Sequence, residues 1–306
     1  MDASARAAVC RDGAFGMTSM LGRLLIVGLA FSVLRADAAD QRAQLHISKM
    51  VSLAPHLTEL AFDAGAGDRI VGTVEYSDRP SAARAIPRVG NAFLLDYERL
   101  LALSPDVVLA WDTGTPKQAI QRVRELGLRV EVFSTPRIQD VAAELRRLGR
   151  LAGTEHIAEQ AARRYEEQIK ALRVEYRERP TITVFVQIND RPLYTVNRQQ
   201  IISEIVALCG GQNVFADLNE LAPAIGEEAV IAANPDAIIS TDDSVPDPMS
   251  RWRKWSSMKA VQANNVFSLS SDDLTRPTTQ LVEGARAACK ALDTARAHLK
   301  RLKQRP

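Results

Sequence analysis

ERLLALSPDVVLAW, residues 98–111, decides the fold because EAVIAANPDAIIST, residues 228–241, repeats it. Superposition pairs Glu98 with Glu228 and places Pro105-Asp106 on Pro235-Asp236, with apolar residues at most positions between. Each copy predicts a short helix that ends before the proline, because the residue before a proline avoids the helical conformation. A short apolar run then predicts a buried strand.

A second pair lies upstream of each copy: TELAFDAGAGDRIVG at residues 58–72 and SEIVALCGGQNVFAD at residues 203–217. Both begin with a capping residue and Glu, continue as an apolar run and stop at Gly, so we expect Thr58 to cap a helix. Chance similarity between strand-turn-helix units is the alternative. Two matches in the same order favour a duplication, and two similar halves predict a ligand cleft between them.

The chain divides into three parts after its first 46 residues. Residues 47–152 and 181–299 alternate apolar strands with helical patterns, which predicts an α/β fold with parallel sheets covered by helices. The first strand is predicted at residues 47–53. Residues 153–180 contain one long amphipathic helix without Gly or Pro until Pro180. Such a helix bends poorly, so we expect only small movement of the two lobes.

Residues 1–38 resemble a signal peptide. Arg23 precedes the apolar run LLIVGLAFSVL, and Ala36-Asp37-Ala38 forms an A-x-A site, which predicts export and cleavage after Ala38. A buried core helix is the alternative, and Met17 offers an alternative start. Of the three cysteines, Cys10 lies in the signal, which leaves Cys209 and Cys289 to form a disulfide in an oxidising compartment. Two separate buried thiols are the alternative.

Composition narrows the class of function. The 306 residues are 46% hydrophobic and 25% charged, with a net charge of +2, so nothing indicates a nucleic-acid partner. The sequence has no G-x-S-x-G, Walker A or H-E-x-x-H motif, and no group of three clustered histidines. We therefore expect neither an enzyme, nor a catalytic cofactor, nor a bound metal.

Several segments together resemble the periplasmic cobalamin-binding proteins that supply ABC-type vitamin B12 importers. The resemblance rests on SLAPHLTELAFDAGAGDRIVG (52–72), VEYSDRP (74–80), LDYERLLALSPDVVLAW (95–111), RPLYTVN (191–197), ALCGGQNVF (207–215) and SSDDLTRPT (270–278). It implies two Rossmann-like lobes joined by a rigid helix, with the ligand in the cleft. It also implies a monomer that captures cobalamin or a related corrinoid and presents it to the permease subunits.

The resemblance also implies roles for single residues. Tyr76 and Trp111 match aromatic positions at the corrin, and Glu98 and Glu228 match the glutamates that dock on the permease. Cys209 and Cys289 match the family's disulfide. The stretch that borders the ligand comprises Asp272, Asp273, Leu274, Thr275 and Arg276.

Some family positions differ here. Phe93 stands where a tryptophan is expected, no tryptophan lies near Ala222, and Asp273 replaces an aromatic. Tyr194 joins Tyr76, Phe93 and Trp111 in loops at the carboxyl ends of predicted strands, where α/β sheets bind ligands, although ordinary core packing is the alternative for each. Glu98 and Glu228 have a plainer alternative as well, since acidic residues stabilise helix N-termini.

Two other functions stay open. A binder of haem or a ferric siderophore would share the fold, and haem would need an axial ligand such as Tyr76 or His56. A plain polar loop residue is the alternative for His56. A periplasmic enzyme or sensor would need a perturbed acid/base pair in the cleft, and the sequence shows none.

Overall fold

The computed structural model describes residues 47–91 and 94–304. The predicted signal peptide and Phe93 lie outside these residues. Within them, no helix combines the length and the apolar character that a membrane span requires.

The first lobe is a four-stranded parallel sheet with the strand order β2-β1-β3-β4. Short 3-10 turns at Gly67–Arg69 and Ser81–Ala85 interrupt its loops. Its elements are β1 (Met50–Ser52), α1 (Pro55–Asp63), β2 (Ile70–Gly72), α2 (Tyr97–Ala102), β3 (Val107–Trp111), α3 (Lys117–Glu125), β4 (Val130–Phe133) and α4 (Asp140–Ala152).

The second lobe repeats this arrangement after the long helix α5 (Glu155–Tyr176), with the parallel strand order β6-β5-β7-β8. Its elements are β5 (Ile182–Gln187), α6 (Ile201–Leu208), β6 (Gly211–Asn213), α7 (Glu227–Ala233), β7 (Ala237–Ser240), α8 (Met249–Trp252), α9 (Lys259–Gln262), β8 (Val266–Ser268), α10 (Ser271–Thr275) and α11 (Leu281–Lys303). The predicted α/β class with two parallel sheets is confirmed.

The repeated stretch makes the same contacts in both lobes. Asp106 Oδ2 accepts hydrogen bonds from the backbone N–H groups of Ser48 (2.7 Å) and Lys49 (2.9 Å), where the chain enters β1. Asp236 Oδ2 accepts from the backbone N–H of Thr183, at 2.9 Å, in the equivalent strand β5. Each aspartate thus ties the start of a central strand to the neighbouring strand, which gives the aspartate the same structural role in both copies.

The residue before each proline also has the same unusual backbone. Ser104 has φ 47° and Asn234 has φ 43°, which is the left-handed conformation. One such residue ends a helix and turns the chain sharply. The two helices therefore end within one residue of each other in the aligned copies, and each is followed by a strand in the centre of its sheet.

The upstream pair matches less completely. The prediction that Thr58 caps a helix is wrong: α1 begins at Pro55 with Ala54 as N-cap, and the Thr58 hydroxyl lies 2.7 Å from that of Thr73. Gly65 (φ 77°) and Gly210 (φ 73°) end their helices alike. Strand β6 then follows Gly210 directly, whereas a 3-10 turn precedes β2, so the two copies diverge beyond the glycines. The first strand is also shorter than predicted.

One apolar core runs through both lobes. It includes Leu57 and Leu109 of the first lobe, Leu172 of α5, and Val184 and Leu292 of the second. Helix α5 faces this core with a stripe of buried residues, and the Tyr165 hydroxyl donates a hydrogen bond to the Ile138 carbonyl at 2.8 Å. A shared core of this kind couples the lobes firmly.

The predicted disulfide between Cys209 and Cys289 is confirmed. It joins the end of α6 to α11 across 80 residues of sequence. Both cysteines are fully buried. The bond therefore holds the C-terminal helix against the second lobe.

Candidate functional site

A cavity of about 1090 Å³ lies between the two lobes, at the carboxyl ends of their strands. Parallel α/β sheets bind their ligands at this position, and the volume of the cavity suits a bulky organic ligand. The first lobe lines it with residues 55–56, 111–113 and 134–137. The second lobe adds Ile188, Val196, residues 198–202, Glu204, Leu221, Thr241, Ser271 and residues 275–277.

Trp111, the last residue of β3, supplies the large aromatic surface of the cavity. The Thr115 hydroxyl accepts the Trp111 backbone N–H at 3.0 Å. A Cβ at Gly114 would come within 1.9 Å of the indole ring, so only glycine permits this placement. The indole is therefore held in position before any ligand arrives.

His56 lies in the cavity wall beside Trp111, with ring centroids 4.7 Å apart in an edge-on arrangement. Its side chain is buried, and Nε2 has no hydrogen-bond partner among the residues that the structure describes. Burial and, secondly, the charge of Arg276 lower the pKa of His56 to about 3. The imidazole is therefore neutral at physiological pH and can both donate and accept a hydrogen bond.

The stretch from Asp272 to Arg276 divides into two groups. Thr275 and Arg276 line the cavity, whereas Leu274 is buried in the core. Asp272 and Asp273 are absent from the cavity lining and face Arg79 of the first lobe, with the Arg79 Nη1 to Asp273 Oδ1 distance 2.7 Å. The sequence predicts all five beside the ligand, and in the structure two of the five line the cavity.

An ionic bridge therefore joins the lobes at one end of the cleft. Besides the Arg79 contacts, Arg276 Nη1 lies 3.1 Å from Glu59 Oε1, and Arg276 Nε lies 2.9 Å from Asp272 Oδ1. Burial raises the pKa of Glu59, although the hydrogen bond from Arg276 opposes this shift. We call Arg79, Glu59, Asp272, Asp273 and Arg276 the interlobe bridge.

Each arginine that lines the cavity is paired with a carboxylate. Arg276 belongs to the interlobe bridge, Arg198 pairs with Asp217, and Arg137 Nη2 lies 3.6 Å from Asp140 Oδ1. Glu204, a carboxylate of the lining, accepts the Ile138 N–H at 2.8 Å and pairs with Arg173. Asp112, the other carboxylate of the lining, has no ion pair among the described residues, whereas the arginines are paired, so the cavity offers a ligand no unpaired arginine.

Two predicted aromatics stand apart from the cavity lining. Tyr76 is 74% exposed and adopts the left-handed conformation, φ 65°, which costs a residue with a Cβ energy. Its loop is fixed because the Thr73 hydroxyl donates to Ser77 Oγ at 2.8 Å. Tyr194 is half-buried and pairs its backbone with Asn189.

Glu98 and Glu228 occupy equivalent places in the two lobes. Both are exposed and lie in the first turn of their helices, α2 and α7. Neither has an ion pair among the described residues. The adjacent Glu227 differs, because Arg251 and Lys254 both pair with its carboxylate. Each lobe therefore offers one free carboxylate at a matching position.

The sequence pattern did not indicate Thr135 and Thr241, which line the cavity; Thr241 follows β7 directly, and Thr135 lies two residues after the end of β4. Their position after a predicted strand is the signal that would have found them. In the described part of the chain, no three His, Cys, Asp or Glu side chains converge as a metal site would require.

Comparison with known proteins gives consistent matches. The family model described as "Periplasmic binding protein" matches residues 50–272. The vitamin B12-binding protein of Vibrio cholerae is 32% identical over 248 residues, 81% of this chain and 90% of that protein. The vitamin B12-binding protein of Yersinia pestis is 31% identical over 245 residues, 80% of this chain and 86% of that protein.

Solved structures extend the match. The periplasmic vitamin B12 binding protein BtuF of Vibrio cholerae has a TM-score of 0.77 at 31% identity, covering 82% of this chain and 98% of that one. The heme-binding protein RhuT of Roseiflexus has a TM-score of 0.72 at 22% identity, covering 81% and 99%, and shares the fold. With two parallel four-stranded lobes, an interlobe cavity and these matches, the chain belongs to the periplasmic binding protein family.

Proposed function

We propose that this protein captures cobalamin, or a close corrinoid, in the interlobe cavity and delivers it to an ABC importer. The observation that carries the proposal is the cavity itself. It contains the Trp111 indole and polar side chains, and its arginines already form ion pairs with carboxylates. The vitamin B12-binding relatives, about one third identical over most of both chains, support the same ligand.

The chemistry of the cavity suits a corrin. A corrin is a broad, largely apolar ring with neutral amide groups around its rim. Trp111 offers the flat surface for the ring, and we propose that Tyr76, which is exposed and outside the cavity lining, offers a second one. The amides of the ligand can bind to neutral hydrogen-bonding groups. Arginines that already form ion pairs do not prevent amides from binding in the cavity. Thr275 and Arg276 would contact the ligand, whereas Asp272, Asp273 and Leu274 would hold their loop in place.

A haem-binding protein is the second candidate, and His56 favours it. A neutral, buried imidazole in the cavity wall is the form of histidine that binds iron. Haem also carries two carboxylates, which need free cations. Because the arginines of the lining are paired with carboxylates, we place haem and ferric siderophores second. Tyr194 and Phe93 remain proposed contacts of the corrinoid.

The N-terminal segment and two exposed glutamates carry the proposed roles in export and in docking. We propose that residues 1–38 direct export to the periplasm and are removed after Ala38. The mature monomer would dock on the two membrane subunits through Glu98 and Glu228, which match across the repeat. A two-fold related pair of carboxylates suits a two-fold symmetric permease. We propose no catalytic step and no catalytic cofactor.

Calorimetric titration of residues 39–306 with cyanocobalamin, with hemin in parallel, tests the ligand. We expect one-to-one binding of cyanocobalamin and weak or no binding of hemin. A matched Trp111→Ala variant should lose affinity for cyanocobalamin, because its aromatic surface is gone. Tight binding of hemin alone would assign the cleft to haem and overturn the proposal.

A further inference from the structure

Three buried polar atoms, in residues that line the cavity, have no hydrogen-bond partner among the described residues: His56 Nε2, Thr135 Oγ1 and Thr241 Oγ1. Across residues 47–91 and 94–304, they are the complete set of buried side-chain nitrogen and oxygen atoms without a partner. All three residues line the same cavity. Buried threonine hydroxyls elsewhere are paired, as that of Thr195 is with the Val186 carbonyl at 2.8 Å.

Leaving a buried polar atom unpaired destabilises a fold, so such atoms are rare and call for a cause. The three atoms belong to residues of one cavity and come from both lobes. A ligand that fills this cavity would account for all three. We propose that His56, Thr135 and Thr241 hydrogen-bond the carboxamide groups of the ligand and select an amide-bearing ring over a carboxylate-bearing one. The inference rests on the proposed function and specifies its site.

The backbone around these residues is fixed, which leaves side-chain rotation to aim the polar atoms. The Thr241 N–H donates to the Gln187 carbonyl at 2.9 Å, and the Ser134 N–H, next to Thr135, donates to Glu144 Oε1 at 3.1 Å. Rotation of a threonine side chain about χ1, from one staggered rotamer to the next, changes the direction of its hydroxyl. A ligand in the cavity can therefore be met by these hydroxyls without moving either lobe.

The protonation state of His56 supplies the selectivity. Its lowered pKa, about 3, leaves one ring nitrogen as an acceptor at neutral pH. An amide can donate to that nitrogen or accept from the ring N–H, whereas a carboxylate can only accept and meets no positive charge on the neutral ring. The nearby charge of Arg276 is engaged by Glu59 and Asp272. A carboxylate placed here would thus lose its water and gain no free cation.

The test compares two sets of variants: Thr135→Val with Thr241→Val, which keep the shape of the side chains, and, separately, His56→Phe, which keeps a flat ring. Each lost hydrogen bond should weaken cyanocobalamin binding roughly 3- to 10-fold, and both sets should retain their thermal midpoint without ligand or raise it. Wild-type protein should prefer cyanocobalamin to its monocarboxylic acid derivatives, and the variants should lose part of that preference. Thr195→Val is the control: it should lower the midpoint and leave affinity unchanged.

The outcomes separate the two proposals. Wild-type binding of cyanocobalamin with equal affinity in all variants would overturn the three-residue set and leave the proposed function standing. A midpoint that falls in the variants as it does in Thr195→Val would overturn the set too, since the atoms would then be paired within the protein. Failure of the wild-type protein to bind cyanocobalamin would overturn both proposals.

Discussion

At the scale of single residues, His56 makes stability depend on pH. Its folded pKa of about 3 lies below the usual value of 6.5, so the unfolded chain binds a proton that the folded protein does not. The folded state therefore loses stability as pH falls from about 6.5 toward 3, by about 1.4 kcal/mol per pH unit. Between pH 6.5 and 4.5 this amounts to roughly 2–3 kcal/mol.

Urea unfolding at several pH values measures this effect. His56→Phe should show a smaller loss of stability between pH 6.5 and 4.5 than the wild-type protein, because the variant has no group to protonate there. Carboxylates that titrate in both proteins cancel in the comparison. Parallel losses in the two proteins would show that His56 is not held neutral by burial.

The sequence could identify Trp111, because a position at the end of a predicted strand faces the mouth of an α/β sheet. It could not identify the lowered pKa of His56, because Trp111, which packs against the ring, and Arg276, whose charge adds to the shift, lie far away in sequence. Nor could the sequence show that Arg276 lines the cavity whereas Asp272 does not. Asp272 faces Arg79, which belongs to the other lobe. Side-chain direction within a loop is set by such tertiary contacts.

At the scale of elements, Asp106 and Asp236 should contribute similarly. Each carboxylate accepts hydrogen bonds from a strand start, so Asp106→Ala and Asp236→Ala should each destabilise the protein by about 1–3 kcal/mol. Asp68→Ala is the control, because Asp68 is exposed. Denaturant unfolding measures all three. An effect of Asp106→Ala no larger than that of the control would contradict the shared role.

The helix and strand of each repeat copy could be predicted from the residues of that copy, such as ERLLALSPDVVLAW. This is possible because the helix, the left-handed turn and the strand depend on local residues. The upstream pair was matched correctly only as far as Gly65 and Gly210. Beyond them the loop to the next strand differs in length, and the apolar pattern does not reveal the 3-10 turn at Gly67–Arg69. Loop lengths vary freely between duplicated halves, because surface loops tolerate insertion.

At the scale of the whole molecule, the interlobe bridge should slow release of the ligand. Arg79→Ala removes the contacts with Asp272 and Asp273, and because these groups are partly exposed the effect is modest. We expect dissociation of cyanocobalamin to accelerate roughly 2- to 5-fold in a stopped-flow experiment. Arg84→Ala, at an exposed arginine, is the control. Equal rates in both variants would remove the bridge from the release step.

Docking is the second property of the whole molecule. Glu98→Ala with Glu228→Ala should leave the affinity for cyanocobalamin unchanged and reduce uptake in cells that depend on this protein. The exposed pair Glu167→Ala with Glu178→Ala controls for the loss of two charges. Loss of ligand binding in the first double variant, or equal uptake in the two, would count against the assignment.

The central claim is that a corrinoid occupies the cavity between the lobes. Crystals grown with cyanocobalamin would locate the cobalt directly through its anomalous scattering. The account predicts one cobalt per chain, inside the cavity that Trp111 and Thr241 line from opposite lobes. A cobalt bound elsewhere on the surface, or an empty cavity in crystals saturated with the ligand, would contradict it.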